Sequence, residues 1–199
     1  MPNTSPLDHH GPLVPYITAW TSEHMAQPLV ITKGAGIGYA DETPYDRDRD
    51  GVLWIREPSS PGRGKPVFGR VHPMRQRRAL RRLLCQVCGH PADRNEQGIL
   101  WLLGGTDNED LTTTHPPICA PCAALAVRTC PSLRRQHALV RARSCLPFGV
   151  HGALHRPGIP HPLPDTGGGL AYGDPRIRWM RAAQLIVRLE GATEVSPSP

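Results

Sequence analysis

The sequence predicts an α+β protein: one small, loop-rich unit with a β layer towards its N-terminal end, a cysteine-bearing centre and a C-terminal helix. Three observations predict it. Short apolar runs bounded by turn residues, Pro28-Leu-Val-Ile-Thr32 and Val52-Leu-Trp-Ile55, read as strands. Two Cys-x-x-Cys pairs occupy the middle of the chain, and segments on either side of them carry apolar residues at helical spacing.

With 199 residues and 39% hydrophobic content the chain can bury one real core or two small ones, which argues against disorder throughout. Aromatics are only 5%, while 20 Gly and 23 Pro exceed the usual share, so many turns are expected. Residues 1–12 and 192–199 are rich in Pro and Ser and read as flexible tails. The first sixteen residues carry Pro2, Pro6, Asp8 and Pro12 where a signal peptide needs an apolar run. Nothing approaches the roughly 18 apolar residues of a membrane span, so the expected location is the cytoplasm, away from membranes.

The first block, residues 13–70, holds the two strand-like runs and reads as the β-rich N-terminal region. The second, 71–133, opens with Pro73-Met-Arg-Gln-Arg-Arg-Ala-Leu-Arg-Arg-Leu-Leu84. Proline suits a first helical turn, and Leu80, Leu83, Leu84 and Val87 recur at helical spacing. A basic amphipathic helix therefore leads into the first cysteine pair. The third block, 134–191, begins with an expected strand at 137–143 and continues through a Pro/Gly/His-rich stretch, 147–169, that reads as a long loop. A helix is expected after it: Asp174 can cap, Pro175 fits the first turn, Ile177, Met180, Gln184 and Val187 track one face, and Gly191 supplies the stop.

The four cysteines carry the clearest chemistry. Cys85-Gln-Val-Cys88-Gly89 has the form of a knuckle, a tight turn that aims two thiolates at one ion. Cys119-Ala-Pro-Cys122 follows Pro116-Pro117 and precedes a good helix former, which places two more thiolates at a helix N-terminus where backbone N–H groups favour negative charge. Between the pairs, Gly98-Ile-Leu-Trp-Leu-Leu103-Gly104-Gly105 reads as a strand and turn. Knuckle, hairpin and ligand-bearing helix in this order are the parts of a treble-clef zinc finger, and Cys85, Cys88, Cys119 and Cys122 are the expected ligands of one structural Zn2+. His90 and His115 are alternative ligands, and Cys130 and Cys145 are expected to be buried free thiols.

The Arg-rich approach to Cys85-x-x-Cys88-Gly89 resembles the opening of HNH-type nuclease domains over about 50 residues. That resemblance implies a general-base His on the hairpin, but Ile99, Leu100, Trp101, Leu102 and Leu103 stand there, so nuclease activity is not expected. The central and C-terminal blocks also resemble an uncharacterised family of small cysteine-containing actinobacterial proteins, a resemblance that implies no activity. Lys33 and Lys65 are the only lysines among 23 basic residues, in keeping with a high-GC genome.

Charge is segregated. No acid occurs from Pro58 to Ala92, where Arg75, Arg77, Arg78, Arg81 and Arg82 crowd one helix; a second acid-free stretch, 111–164, holds further arginines. With a net charge of +6, the expected function is a non-enzymatic binding protein that contacts nucleic acid, DNA foremost, through these five arginines. A protein-interaction adaptor built on the same zinc scaffold is the alternative. A charged face that merely keeps a helix soluble is the plainer explanation of the same residues.

Three weaker patterns complete the reading. Asp46, Asp48, Asp50 and Glu57 match the acidic spacing of a calcium loop, but Pro44 and Pro58 oppose the flanking helices it needs, so a solvated turn is expected. Gly34-Ala-Gly36-Ile-Gly38 lacks the third glycine spacing of a dinucleotide loop. His151, His155 and His161 read as solvated loop residues rather than a second metal site. No Ser/His/Asp arrangement or phosphate loop with Lys and Ser/Thr is recognisable.

Overall fold

The computed structural model describes residues 13–32, 34, 36–104 and 111–195; the tail expected at 1–12, the last four residues of the tail expected at 192–199, and Gly105 of the expected turn lie outside them. Five strands come first: β1 (Thr18–Trp20), β2 (Leu29–Thr32), β3 (Gly36–Tyr39), β4 (Leu53–Trp54) and β5 (Pro66–Val71). Helix α1 (Pro73–Arg82) follows, then β6 (Arg94–Asn95), β7 (Gly98–Leu103) and β8 (Thr112–Thr113). Helices α2 (Ala120–Thr129) and α3 (Pro131–Arg135) lead into β9 (Ala138–Ala142), β10 (Ser144–Arg156), β11 (Leu163–Pro164), β12 (Gly168–Ala171), β13 (Met180–Glu190) and β14 (Thr193–Glu194). The class is mixed α+β. Among the described residues no helix is long and apolar enough to cross a membrane.

The N-terminal strands do not form a layer of their own. β1 pairs with β5 and β2 with β3 in separate ribbons, whereas β4 joins the largest sheet beside β13. That sheet is built on the long antiparallel pair β10–β13; β11 and β12 continue it beyond β10, and β4 and β8 beyond β13. A second sheet runs β14-β9-β7-β6.

The main core gathers Ile99 and Trp101 of β7, Val140 and Ala142 of β9, Leu80 of α1, Trp54 of β4 and the inward residues of β13. The alternate residues of β7, Leu100 and Leu102, pack instead with Cys85, Ile118, Cys122 and Ala123 in a second cluster. β7 is thus buried on both faces, which its unbroken apolar run requires.

Helix α1 starts where expected. His72 caps it, its Nδ1 accepting from the Arg75 N–H, and Pro73 occupies the first turn. Its inner face contains Arg75 and Gln76 as well as Ala79 and Leu80.

The expected C-terminal helix is corrected to a strand. Asp174 does cap, accepting from the Arg176 N–H at 2.8 Å, but the turn it opens is a 3-10 turn ending at Trp179. From Met180 the chain extends as β13, because β10 offers it ten paired positions and its inward residues join the main core. The expected loop over 147–169 is corrected in the same way, since β10 runs to Arg156. Its glycines serve contact between strands: a Cβ on Gly149 would lie 2.1 Å from the Leu170 carbonyl oxygen, and one on Gly152 2.2 Å from that of Arg181. Residues 193–194, expected in a tail, pair with β9.

Candidate metal centre

The first cysteine pair follows directly from the end of α1. Leu84 bridges to Pro91, the Cys85 N–H donates to the His90 carbonyl at 2.7 Å, and the Gly89 N–H returns to the Cys85 carbonyl at 2.9 Å. Gly89 has φ +73°, and a Cβ there would press into the Tyr16 ring at 2.9 Å, so this turn requires glycine. The Val87 N–H points at Cys85 Sγ, 3.4 Å away.

The second pair is brought up by backbone ties across the knuckle and hairpin. Gln86 N–H donates to the Pro117 carbonyl, Asp93 N–H to Ile118, and Ile118 N–H to Leu100 of β7. Cys119 is then the N-cap of α2 and Cys122 lies in its first turn. Knuckle, β6–β7 hairpin and helix follow one another in the expected order, but the hairpin's turn, Glu96-Gln97, precedes β7, where the expected turn followed it.

These four cysteines form a possible metal-binding site. Their Sγ atoms all lie within 4.8 Å of one another, with Cys85 and Cys122 buried and the other pair partly exposed. Four metal–sulfur bonds of about 2.3 Å in a tetrahedron set an edge of about 3.8 Å. Cys88 Sγ and Cys119 Sγ stand 3.8 Å apart. The donor set fits a soft, tetrahedral dication.

The electrostatics agree. Burial opposes charge on Cys85, but backbone N–H groups of Cys88, Cys119 and Val87 overcome it and draw this thiol below its ordinary value. Burial and the neighbouring thiols of Cys85 and Cys119 push Cys88 up to about 11, and burial with the Cys119 contact pushes Cys122 up as well. Four adjacent thiols cannot all ionise unless positive charge is placed among them.

Among the described residues this is the one such group, and neither His90 nor His115 belongs to it. Cys130 and Cys145 are free thiols, but each is partly exposed rather than buried. Cys130 contacts Ser132 Oγ at 3.1 Å, and hydrogen bonds from Ser132 and Leu133 lower its pKa.

The five arginines are divided by the fold. Arg75 is a core residue, 5% exposed, and its guanidinium binds both oxygens of the fully buried Glu23, at 2.7 and 2.8 Å, and the Thr18 carbonyl. It is corrected from contact surface to internal ion pair: it faces the inner side of α1, where a guanidinium needs a carboxylate. Arg77 lies over the Trp54 ring at 4.0 Å. Arg78, Arg81 and Arg82 are exposed.

The calcium pattern is dissolved by its own partners. Asp46 accepts from Arg56 and Thr43, Asp48 from the Val52 and Asp50 N–H groups and from Trp54 Nε1, and Glu57 pairs with Arg70. In the glycine motif, Gly36 and Gly38 lie in the β2–β3 ribbon, where a Cβ on Gly36 would meet the Arg178 carbonyl at 2.0 Å; Ala35 lies outside the described residues. His151 and His155 are on β10, not in a loop. The Glu23–Arg75 and Arg77–Trp54 pairs escaped sequence reasoning because their partners lie far apart in the chain. The one local hint was the position of Arg75 and Gln76 on the face shared with Leu80. No family model matches the chain, and no curated protein or solved structure matches it.

Proposed function

We propose that this chain is a zinc-stabilised, non-enzymatic binding protein that contacts nucleic acid, DNA foremost, through the exposed face of α1. The order of knuckle, hairpin and ligand-bearing helix supports a treble clef, and four convergent thiolates favour zinc in a tetrahedral site. With all four positions filled by sulfur, no place remains for a water or substrate, so the ion is a structural element. It organises charge and packing between knuckle and helix.

One observation carries the binding reading. Arg78, Arg81 and Arg82 are exposed on α1 and form no ion pair or hydrogen bond among the described residues. Like charges at i, i+4 oppose each other on a helix, and an acidic backbone relieves that opposition. Met74, 53% exposed one turn before Arg78, favours the alternative of a protein-interaction adaptor, since it adds an apolar contact.

The test is fluorescence anisotropy with labelled duplex DNA and RNA at low and moderate salt. Binding should fall steeply with salt and be lost in the triple variant Arg78→Glu, Arg81→Glu, Arg82→Glu. Nucleic-acid retention unchanged by that triple reversal would transfer the case to the adaptor.

A further inference from the structure

We infer that Arg77 and Arg81 form a phosphate clamp, fixed by Trp54, that grips one backbone phosphodiester of the bound nucleic acid. This deepens the nucleic-acid reading above and rests on it.

The clamp begins with a platform. Trp54 is 4% exposed, its Nε1 donates to Asp48 Oδ2 at 2.9 Å, its carbonyl accepts from the Tyr39 hydroxyl at 3.1 Å, and its backbone pairs with Ala182 of β13. The ring therefore cannot turn away. The Arg77 guanidinium carbon sits 4.0 Å from the ring centroid, so one face of the guanidinium is covered while its edge N–H groups stay free in the plane.

Nothing within the described residues uses those N–H groups. Among the described residues Arg77 has no hydrogen bond and no ion pair. The acid whose charge favours Arg77, Asp48, is occupied on both oxygens: Oδ1 accepts from Asp50 and Val52, and Oδ2 from Trp54 and, at 3.3 Å, the Tyr172 hydroxyl. Asp48, held at the indole N–H edge, attracts Arg77 without binding it, while burial and the charge of Arg81, one turn along the helix, both disfavour the Arg77 cation. A partly desolvated guanidinium beside a second arginine is a site with unspent donors and unbalanced charge.

An anion with several acceptor oxygens satisfies both. A phosphodiester can take the planar fork of Arg77 on its two free oxygens while Arg81 reaches the same group from one turn further. It must approach from the Arg81 side, because Asp48 repels it on the other. Trp54 is buried beneath Arg77 and unavailable for stacking on a base, so the clamp reads backbone charge and not sequence.

The experiment compares the full chain with Arg77→Lys, Arg77→Gln and Arg81→Gln on a fluorescein-labelled DNA duplex and on a polyglutamate peptide. Arg77→Lys keeps the charge but loses the flat fork, and should weaken DNA binding about fivefold. Each Gln variant should weaken it about tenfold and reduce the slope of log affinity against log salt by about one. Loss should be the same on duplexes of unrelated sequence. Wild-type affinity in Arg77→Lys, with salt-dependent binding intact, overturns the clamp and leaves the nucleic-acid reading standing. No DNA binding by the wild type overturns both, and tighter binding of polyglutamate than of DNA replaces the phosphate by an acidic protein. Thermal melts accompany each variant; if an Arg77 variant unfolds, Arg81→Gln, altered at an exposed side chain, decides alone.

Discussion

Gln76 of α1 and Leu185 of β13, 109 residues apart, hold each other by two hydrogen bonds: Gln76 Nε2 donates to the Leu185 carbonyl at 2.8 Å, and the Leu185 N–H donates to Gln76 Oε1 at 3.1 Å. β4 pairs with β13 at Arg181 and Ala182 and β8 at Val187 and Arg188, so Leu185 lies in the gap between two short strands. The Gln76 amide fills that gap as a strand residue would, and its second N–H donates to the Thr114 carbonyl. Gln76→Ala leaves a buried N–H and carbonyls without partners and should cost about 3 kcal/mol in urea unfolding. Gln76→Met, nearly the same size, should cost almost as much.

Arg75 and Arg78, three residues apart, should behave as opposites. Arg75→Ala strands the buried Glu23 carboxylate and should destabilise by about 3–5 kcal/mol. Arg78→Ala removes an exposed, unpaired side chain and should change stability by less than about 0.5 kcal/mol. Denaturant midpoints of the two variants measure the contrast.

Acid should act first on His72. Burial, with Arg75 and Arg70 nearby, lowers its pKa below 6.5, against the pull of the Pro58 carbonyl and of Glu23. The folded state thus prefers the neutral ring, whose Nδ1 caps α1. That contribution is complete above about pH 6.5 and is lost as the pH falls below it towards the depressed folded value. Glu23 follows: burial alone would raise its pKa, but Arg75 and the Ser60 and Trp20 N–H groups bring it from 4.5 down to about 2. Its contribution is complete above about pH 4.5 and is lost on the way down to about 2. Stability curves of wild type and His72→Gln should differ in slope below pH 6.5 and run parallel above it.

Elemental analysis of purified protein should find about one zinc per chain. Cys85→Ser should remove it and with it the far-UV signal of α2; a folded, zinc-free wild-type chain would sink the structural role.

The parts of the fold that the sequence announced are those whose pattern is local. β7 reads as a strand from its own apolar run, α1 from Pro73 and the leucines, and the cysteine cluster from two spacings. β13 could not be read this way. Its buried residues are Met180, Ala182, Leu185, Val187 and Leu189, an alternation interrupted once. The interruption is a bulge: His151 faces Gln184 while Gly152 faces Ala182, so Ala183 is the extra residue. The step from Ala182 to Leu185 then imitates helical spacing, and Ala, Gln, Leu and Arg are good helix formers. Only the partner strand β10 decides the matter, and β10 was itself disguised by Pro147 and its glycines. Arg75 was misplaced for a related reason: a buried ion pair has no signature until Glu23, 52 residues away, is brought beside it.

β7 gives one strand two different debts. Ile99 and Trp101 belong to the main apolar core, which contains none of the four clustered cysteines. Leu100 and Leu102 belong to one shared with Cys85, Val87, Ile118, Cys122 and Ala123, which includes two of the four cysteines of the possible metal site. On the zinc reading proposed above, one strand links the supply of metal to the middle of the molecule, and chelation should split a single melting transition into two, with the half containing Trp101 the last to go.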